Sequence, residues 1–235
     1  MKAVIQAGGK GTRLAPYTMV LPKPLMPVCG VPVIEMLIKW LRRNDITQGY
    51  VTVGYLAKLI KTLCGDGSQW GFELEYCHES EPLGTIGPLA LLGRERLDDT
   101  FLVLNGDIIT DLKVRDMVAS HKRSGALLTI GVTRKRINID LGVIERDGDI
   151  VVNFREKPVM ELTVSMGIYC IEPDVLEYVP PNCAYGFDDL MYSLLDKGVP
   201  INTYEHQGVW MDIGRPEDFE KAQEVVNGNS ALLGI

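Results

Sequence analysis

Residues 4–28 read VIQAGGKGTRLAPYTMVLPKPLMPV, and the rest of the chain is organised around this stretch. It opens with the apolar run Ala3 to Ile5, which is too short for a helix and rich in β-branched residues, so this run predicts a buried strand. The strand leads directly into three closely spaced glycines, Gly8, Gly9 and Gly11. Glycine lets a backbone turn tightly and brings its N–H groups close to a ligand.

Cationic side chains accompany these glycines, namely Lys10, Arg13 and Lys23. Successive exposed N–H groups form a concavity that binds anions, and full positive charges add to it. A polyphosphate loop is therefore one interpretation, and a simple turn that binds nothing is the other. The loop is not the Rossmann dinucleotide-binding fingerprint, because the third glycine of that motif would fall at Leu14. It is not a P-loop either, because no Gly-Lys-Ser/Thr follows.

The composition describes an ordinary globular protein. The 235 residues are 46% hydrophobic and 23% charged, enough for one large α/β domain or two small ones. A net charge of −7 argues against nucleic-acid and anionic-membrane partners. Because no apolar run approaches 18 residues and Met1-Lys2 leads into a strand, we expect a cytoplasmic protein without a membrane span or signal peptide. The five scattered cysteines indicate reduced thiols.

Strand and helix patterns alternate along most of the chain. This rhythm predicts a mostly parallel, mixed sheet with helices on both faces. A hairpin of 142–145 and 150–155 around an Asp-Gly turn interrupts it. We predict one domain over 1–226 and a loose tail over 227–235. The predicted strands are 3–5, 49–53, 72–77, 101–104, 126–132, 164–171 and 201–204, and the predicted helices are 33–43, 56–63, 85–97, 114–121, 173–179, 188–197 and 216–226.

The opening stretch resembles the signature of the sugar-1-phosphate nucleotidyltransferases, which is G-G-x-G-T-R-L followed by P-x-T and P-K-P. Pro16 and Thr18 fit the pattern, and the resemblance continues to Asp218. It implies a single Rossmann-like nucleotidyltransferase domain, with Arg13 and Lys23 as catalytic residues. It also implies nucleotide contacts from the end of the strand and from the loop, at Gln6, Ala7, Gly8, Gly9, Gly11 and Thr12.

A second motif, EPLGT at 81–85, follows Glu79 and precedes a predicted helix. From the residues alone, Thr85 would cap that helix. The motif resembles the base-reading loop of the mannose-1-phosphate guanylyltransferases, which implies nucleotide contacts at Glu79, Pro82, Gly84 and Thr85. Glu79 stands where pyrimidine-using relatives carry Gln. Guanine presents two adjacent donors that suit a carboxylate, so we expect GTP.

Two distant aspartates are candidate metal ligands. Asp107 follows the buried strand 101–104, at the sheet edge where α/β proteins bind ligands. Taken alone, Asp107 could form a turn, and Asp212 could cap the helix that begins near Pro216. In the resembling family this pair holds a divalent cation. Mg²⁺ takes few protein ligands and would find enough in two aspartates, phosphates and waters.

Resemblance to the sugar pocket of the family is less complete. It implies that Glu156 holds sugar hydroxyls and that Lys157 binds the sugar phosphate as a further catalytic residue. Gly142, Ser165 and Gly167 would also line this pocket. A separate departure, Gln6 in place of an apolar residue, lies next to the base in the family. Within the sugar pocket, Leu141-Gly142 replaces the usual Tyr-Gly and Ser165 replaces Asn. These departures put the sugar in doubt, and a modified hexose, a heptose or a cyclitol phosphate fits as well as mannose 1-phosphate.

We therefore expect an enzyme that joins an NTP, GTP by preference, to a sugar 1-phosphate and releases pyrophosphate. Such transfers rely on positioning and charge stabilisation, so no covalent nucleophile is needed. The alternatives are a cytidylyl-, thymidylyl- or uridylyltransferase of another phosphorylated acceptor, and a catalytically silent homologue that senses nucleotide-sugars. The sequence leaves the oligomeric state open, and a homo-oligomer is compatible with it.

Overall fold

The computed structural model describes residues 1–233 of the chain. The strands are β1 Ala3–Gln6, β2 Pro27–Val28, β3 Val31–Pro32, β4 Gln48–Val53, β5 Glu73–His78, β6 Phe101–Asn105, β7 Ile108–Thr110, β8 Leu128–Asn138, β9 Val143–Asp147, β10 Ile150–Arg155, β11 Val159–Ile171, β12 Ile201–Glu205 and β13 Trp210–Asp212. The α-helices are α1 Val33–Arg43, α2 Ala57–Cys64, α3 Gly87–Arg96, α4 Val114–Ser124, α5 Phe187–Asp196 and α6 Pro216–Gly228. Short 3₁₀ helices occupy Thr12–Leu14, Tyr17–Met19, Lys23–Leu25, Ser68–Trp70, Pro173–Tyr178 and Ser230–Leu233.

A seven-stranded sheet forms the centre of the molecule, in the order β12-β8-β11-β6-β1-β4-β5. Neighbouring strands are parallel except at β11, which runs antiparallel to both β6 and β8. The predicted class, a mixed and mostly parallel α/β sheet with flanking helices, is confirmed. Since β1 lies between β4 and β6, the loop that follows β1 emerges at the middle of the sheet.

Two hydrophobic layers cover the two faces of this sheet. Along β1, Ala3 and Ile5 join one layer and Val4 joins the other, because successive strand residues point to opposite faces. Helices α1, α2, α4 and α6 pack in the first layer, and α3 and α5 pack in the second. Helix α1 has the bounds predicted from its apolar spacing. The five cysteines are all free.

The largest difference from the predicted elements lies in β8 and β11, which are much longer than expected. Residues 133–138 pair with 159–164 in an antiparallel ribbon that extends beyond the sheet. One face of this ribbon carries Ile137, Met160 and Leu162, and the other carries ion pairs of Arg134 with Glu161 and Glu205. Because the ribbon is stabilised by a long-range ladder, its charged local sequence did not identify it as a strand.

Smaller differences occur at turns and at the end of the chain. The predicted hairpin forms, but its turn is Gly148-Asp149, one residue later than the Asp-Gly pair, since Asp147 pairs with Ile150. Within the predicted tail, helix α6 continues to Gly228 and Leu232 is buried in the first layer, so this part is packed. Residues 234 and 235 lie outside the described part, and the domain boundary itself stays a prediction. None of the helices within residues 1–233 has the length and apolarity that crossing a bilayer requires.

Candidate functional site

A cavity of about 260 Å³ lies at the carboxyl end of β1. The glycine loop forms one side of it, and the turn between β6 and β7 forms another. Its lining includes eight of the residues that the sequence assigns to phosphate, nucleotide or metal binding. The lining residues are Gln6, Ala7, Gly9, Gly11, Thr12, Arg13, Lys23, Pro24, Gly106 and Asp107.

Local contacts hold the glycine loop in shape. Gly11 has a φ of +61°, which favours glycine, and a Cβ there would press against Thr18 and Lys23. The buried Thr18 hydroxyl donates to the Gly11 carbonyl over 2.8 Å. Gly8 contacts the Glu79 carboxylate so closely that a Cβ at this position would overlap it. Glycine is therefore required at position 8 because the Glu79 carboxylate approaches the backbone there, and at position 11 because the backbone has a positive φ.

Charged side chains from three distant segments meet beside the cavity. Lys23 Nζ forms an ion pair with Asp107 and lies 3.6 Å from Asp212 Oδ1. The Lys23 side chain is only 11% exposed, so this cation is held inside the cluster. On the other side of Asp212, a Cβ at Gly214 would contact Arg13, Asp212 and Asp218 together, which shows that these three side chains converge. The structure therefore brings together both predicted metal ligands with Arg13 and Lys23, two of the three cations of the opening stretch.

The short strands β7 and β13 bring the two aspartates together. They pair antiparallel with Asp212 opposite Ile108, and the Ile213 N–H donates to the Asp107 carbonyl over 2.9 Å. Asp212 thus belongs to β13, and α6 begins after Arg215, so the alternative of Asp212 as a helix cap is wrong. Burial first, and then the Asp107 charge, raise the pKa of Asp212, while Lys23 and Arg13 act in the opposite direction.

This donor set fits a hard divalent cation. The carboxylates of Asp107 and Asp212 both approach the ammonium group of Lys23. The second oxygen of Asp107, Oδ1, is buried without a hydrogen-bond partner among residues 1–233. An unpartnered buried carboxylate oxygen carries an energetic cost that a bound cation would remove. The described residues contain no cluster of three or more metal-binding side chains, so phosphates and waters would complete the coordination.

The predicted base-reading residue lies directly behind the glycine loop. Glu79 is 8% exposed, and its Oε2 accepts a hydrogen bond from the Leu83 N–H over 3.1 Å. Burial raises the pKa of this carboxyl, while hydrogen bonds from Leu83 and the Thr52 hydroxyl and the charge of His78 oppose the shift. The loop that follows, with Pro82 exposed on it, shapes the space in front of Gln6.

The loop of residues 83–87 is anchored to the chain before α5. The Ile86 and Gly87 N–H groups both donate to the Tyr185 carbonyl over 3.0 Å, and Gly84, at φ +76°, packs on that residue's backbone. Thr85 was expected to cap a helix, and this is wrong, because α3 begins at Gly87. The Thr85 hydroxyl instead accepts from the Phe187 N–H, and its carbonyl accepts from the Gln6 amide.

The predicted sugar residues fall into two groups. Ser165 and Gly167 lie on β11 at a break in its register, where Gly167 packs against the Asn105 side chain, two residues before Asp107. The remaining residues, Gly142, Glu156 and Lys157, lie around the hairpin, where a Cβ at Gly142 would be 3.3 Å from Glu156 Oε2. Both charged residues there are exposed. Among residues 1–233, Lys157 forms no ion pair with Asp107 or Asp212.

Three contributing residues were not predicted from the sequence. Asp218 approaches Arg13 and Asp212 but lies in the first turn of α6, where an acidic residue usually serves the helix dipole. Thr52 supports Glu79, and Asn105 adjoins Gly167. Thr52 is the second-last residue of β4 and Asn105 is the last residue of β6, so a polar residue near the carboxyl end of a buried strand was a signal that could have identified them.

Comparison with known proteins gives the family of this chain. The family described as Nucleotidyl transferase matches residues 2–228. The chain therefore belongs to the nucleotidyl transferase family, and the resemblance to sugar-1-phosphate nucleotidyltransferases seen in its sequence is confirmed.

Two curated relatives share about a third of their residues with this chain. A UTP–glucose-1-phosphate uridylyltransferase of Synechocystis is 34% identical over 94% of the chain and 62% of its own length. Mannose-1-phosphate guanyltransferase beta-A of Xenopus laevis is 35% identical over 93% of the chain and 62% of its own length. The chain thus spans less than two thirds of either relative. The structure of HddC from Yersinia pseudotuberculosis superimposes with a TM-score of 0.76 at 25% identity, covering 95% of this chain and 98% of that one.

Proposed function

We propose that this protein is a nucleotidyltransferase that joins an NTP, preferably GTP, to a sugar 1-phosphate and releases pyrophosphate. One observation carries the proposal: Arg13, Lys23, Asp107 and Asp212 converge beside the cavity that the glycine loop lines. A site of this kind combines anion-binding amides, two cations and a pair of carboxylates. These are the groups that phosphoryl chemistry needs to position and neutralise a triphosphate.

Each residue has a role that its position supports. The loop N–H groups and Arg13 bind the β- and γ-phosphates and stabilise the departing pyrophosphate. A phosphate oxygen of the acceptor attacks the α-phosphorus in line, and the bond to pyrophosphate breaks on the opposite side. Lys23 neutralises charge at this centre, and its pairing with Asp107 fixes its ammonium there. Lys157 approaches the acceptor phosphate from the exposed hairpin.

Asp107 and Asp212 would hold Mg²⁺, which when bound supplies charge neutralisation at the α-phosphate. The fit rests on the unpartnered Asp107 Oδ1 and on the convergence of both carboxylates. In the absence of nucleotide, Lys23 contributes positive charge to the same carboxylates.

The preference for GTP rests on Glu79. A buried carboxylate accepts from the two adjacent donors of guanine, and it would face an acceptor in uracil or thymine. Glu79→Gln replaces two acceptors by one acceptor and one donor at nearly constant volume. The curated relatives include both a uridylyltransferase and a guanyltransferase, so the base is the feature that needs a direct measurement.

The test is pyrophosphate release with four NTPs against a panel of sugar 1-phosphates, for the parent and for Glu79→Gln. We expect kcat/KM to be highest with GTP, and the substitution to shift preference toward UTP by roughly 1–3 kcal/mol. A parent that prefers a pyrimidine, or an unchanged ranking in Glu79→Gln, would show that Glu79 does not read the base. Absence of pyrophosphate with every pair, despite measurable nucleotide-sugar binding, would favour the silent sensing homologue.

A further inference from the structure

The side-chain amide of Gln6 has a hydrogen-bond partner for its nitrogen but none for its oxygen among residues 1–233. Gln6 Nε2 donates to the Thr85 carbonyl oxygen. Because a carbonyl oxygen can only accept, the nitrogen of the amide must face Thr85, and this fixes the orientation of the whole group. The amide oxygen Oε1 then points elsewhere. It is buried, and no donor among residues 1–233 reaches it.

An unpartnered buried acceptor is destabilising, and most such groups in folded proteins are paired. Gln6 also lines the cavity at the end of β1, so a molecule that enters the cavity meets this side chain at its wall. The unsatisfied oxygen is therefore an acceptor that a ligand donor would complete. A phosphate oxygen would not complete this acceptor, because phosphate oxygens themselves only accept, whereas an N–H or O–H group of a nucleoside would.

The position of Gln6 relates it to the base loop. In the parallel register Gln6 lies beside Thr52 of β4, and the side chains of these neighbours share one face of the sheet. Thr52 in turn hydrogen-bonds Glu79. Thr85, which holds the Gln6 amide, belongs to the loop that follows Glu79. Gln6 and Glu79 thus both adjoin Thr52 and the loop that follows Glu79.

We propose that Gln6 is a specificity-determining residue that accepts a hydrogen bond from the exocyclic 2-amino group of guanine, with Thr85 as its positioning residue. This inference rests on the proposed function and deepens it. The 2-amino group of guanine has two N–H bonds. In the pairing proposed above, Glu79 accepts one of them together with the ring N–H, and the second needs another acceptor, which Gln6 Oε1 supplies. Adenine has no donor at this position, and uracil has a single ring N–H.

The experiment compares nucleotides that differ by this one group. Equilibrium dissociation constants are measured for GDP and IDP, which lacks the 2-amino group, and for dGDP, which lacks the ribose 2′-hydroxyl. The same comparison is made by turnover with GTP and ITP. The variant is Gln6→Leu, which removes the amide at similar volume, and Gln6→Met serves the same purpose if the leucine variant does not fold.

We expect the parent to bind GDP more tightly than IDP, and either variant to reduce that ratio by about five- to tenfold while leaving the GDP-to-dGDP ratio unchanged. A parent that binds GDP and IDP equally overturns the inference, and so does a variant that discriminates as the parent does. A change confined to the GDP-to-dGDP ratio also overturns it, because the acceptor would then read the ribose. Failure of the proposed function shows separately, as a preference for UTP over GTP in the parent.

Discussion

Replacement of Lys23 by methionine tests whether this lysine occupies the place of a cation in the carboxylate pair. The substitution removes the ammonium and keeps most of the apolar stem. Lys23 pairs with Asp107, whose side chain is 19% exposed and whose second oxygen already lacks a partner among residues 1–233. Asp212, 3.6 Å from the ammonium, also loses this neighbour. The variant therefore leaves two carboxylates close together, with Arg13 the remaining nearby cation.

Removing one partner of a fully buried ion pair costs about 3–5 kcal/mol, and partial exposure here reduces our expectation to about 2–3 kcal/mol. For a chain of this size, 1 kcal/mol corresponds to roughly 2–4 °C in Tm, so Lys23→Met should unfold about 4–12 °C below the parent. Added Mg²⁺ should stabilise the variant more than the parent, because no lysine competes for Asp107. At a hundredfold excess over Kd the gain is about 2.7 kcal/mol.

Thermal unfolding without nucleotide, with and without Mg²⁺, measures both effects. Lys10→Met is the matched control, since Lys10 is an exposed lysine of the glycine loop and forms no ion pair within residues 1–233. The Tm of Lys10→Met should equal that of the parent both with and without Mg²⁺. The reasoning is refuted if Lys23→Met unfolds at the parental temperature, or if Mg²⁺ raises the Tm of the parent as much as that of the variant.

Three further predictions concern other parts of the site. Asp107→Asn should lower turnover by orders of magnitude and leave the circular dichroism spectrum unchanged, since it removes charge at nearly constant volume. Full activity in this variant, or in the parent with excess chelator, would contradict the metal assignment. Ser165→Asn, which restores the family residue beside Gly167, should raise kcat/KM for mannose 1-phosphate about fivefold relative to modified hexose phosphates, and an unchanged ratio would remove Ser165 from the sugar pocket. Because burial raises the pKa of Glu79 above 4.5, the native state holds this proton more tightly than the unfolded state. That contribution to stability decreases as pH rises through the raised pKa. Urea titrations from pH 4 to 7 should therefore show Glu79→Gln gaining stability relative to the parent, and a pH-independent difference would refute this.

Local patterns predicted the elements that local sequence stabilises. Helix α1 was found at its bounds because Ile34, Leu37, Ile38 and Leu41 form a helical apolar stripe that ends before Asn44. The start of α3 was misplaced at Thr85 because its hydroxyl and carbonyl are engaged by residues far away in sequence. The ribbon of β8 and β11 was missed for a similar reason, since its ladder is long-range and its residues are mostly exposed.

The site was partly predictable for the same physical reasons. The loop from Gly8 to Arg13 is contiguous, so its chemistry could be inferred from the residues. The meeting of Asp107 with Asp212 depends on β7 and β13, short strands whose pairing no local signal reveals. It was expected only from the resemblance to the family. Asp218 and the orientation of the Gln6 amide become apparent only in three dimensions.

The pairing of β7 with β13 also determines when the site can exist during synthesis. Lys23 and Asp107 leave the ribosome long before Asp212, and until β13 has emerged the second carboxylate is missing. A nascent chain with its first six sheet strands formed would present a glycine loop and a lysine but an incomplete carboxylate pair. The pair of carboxylates is therefore completed late in synthesis. Nucleotide binding that depends on Mg²⁺ would report that β13 has paired with β7, so such a ligand would be a probe of complete folding.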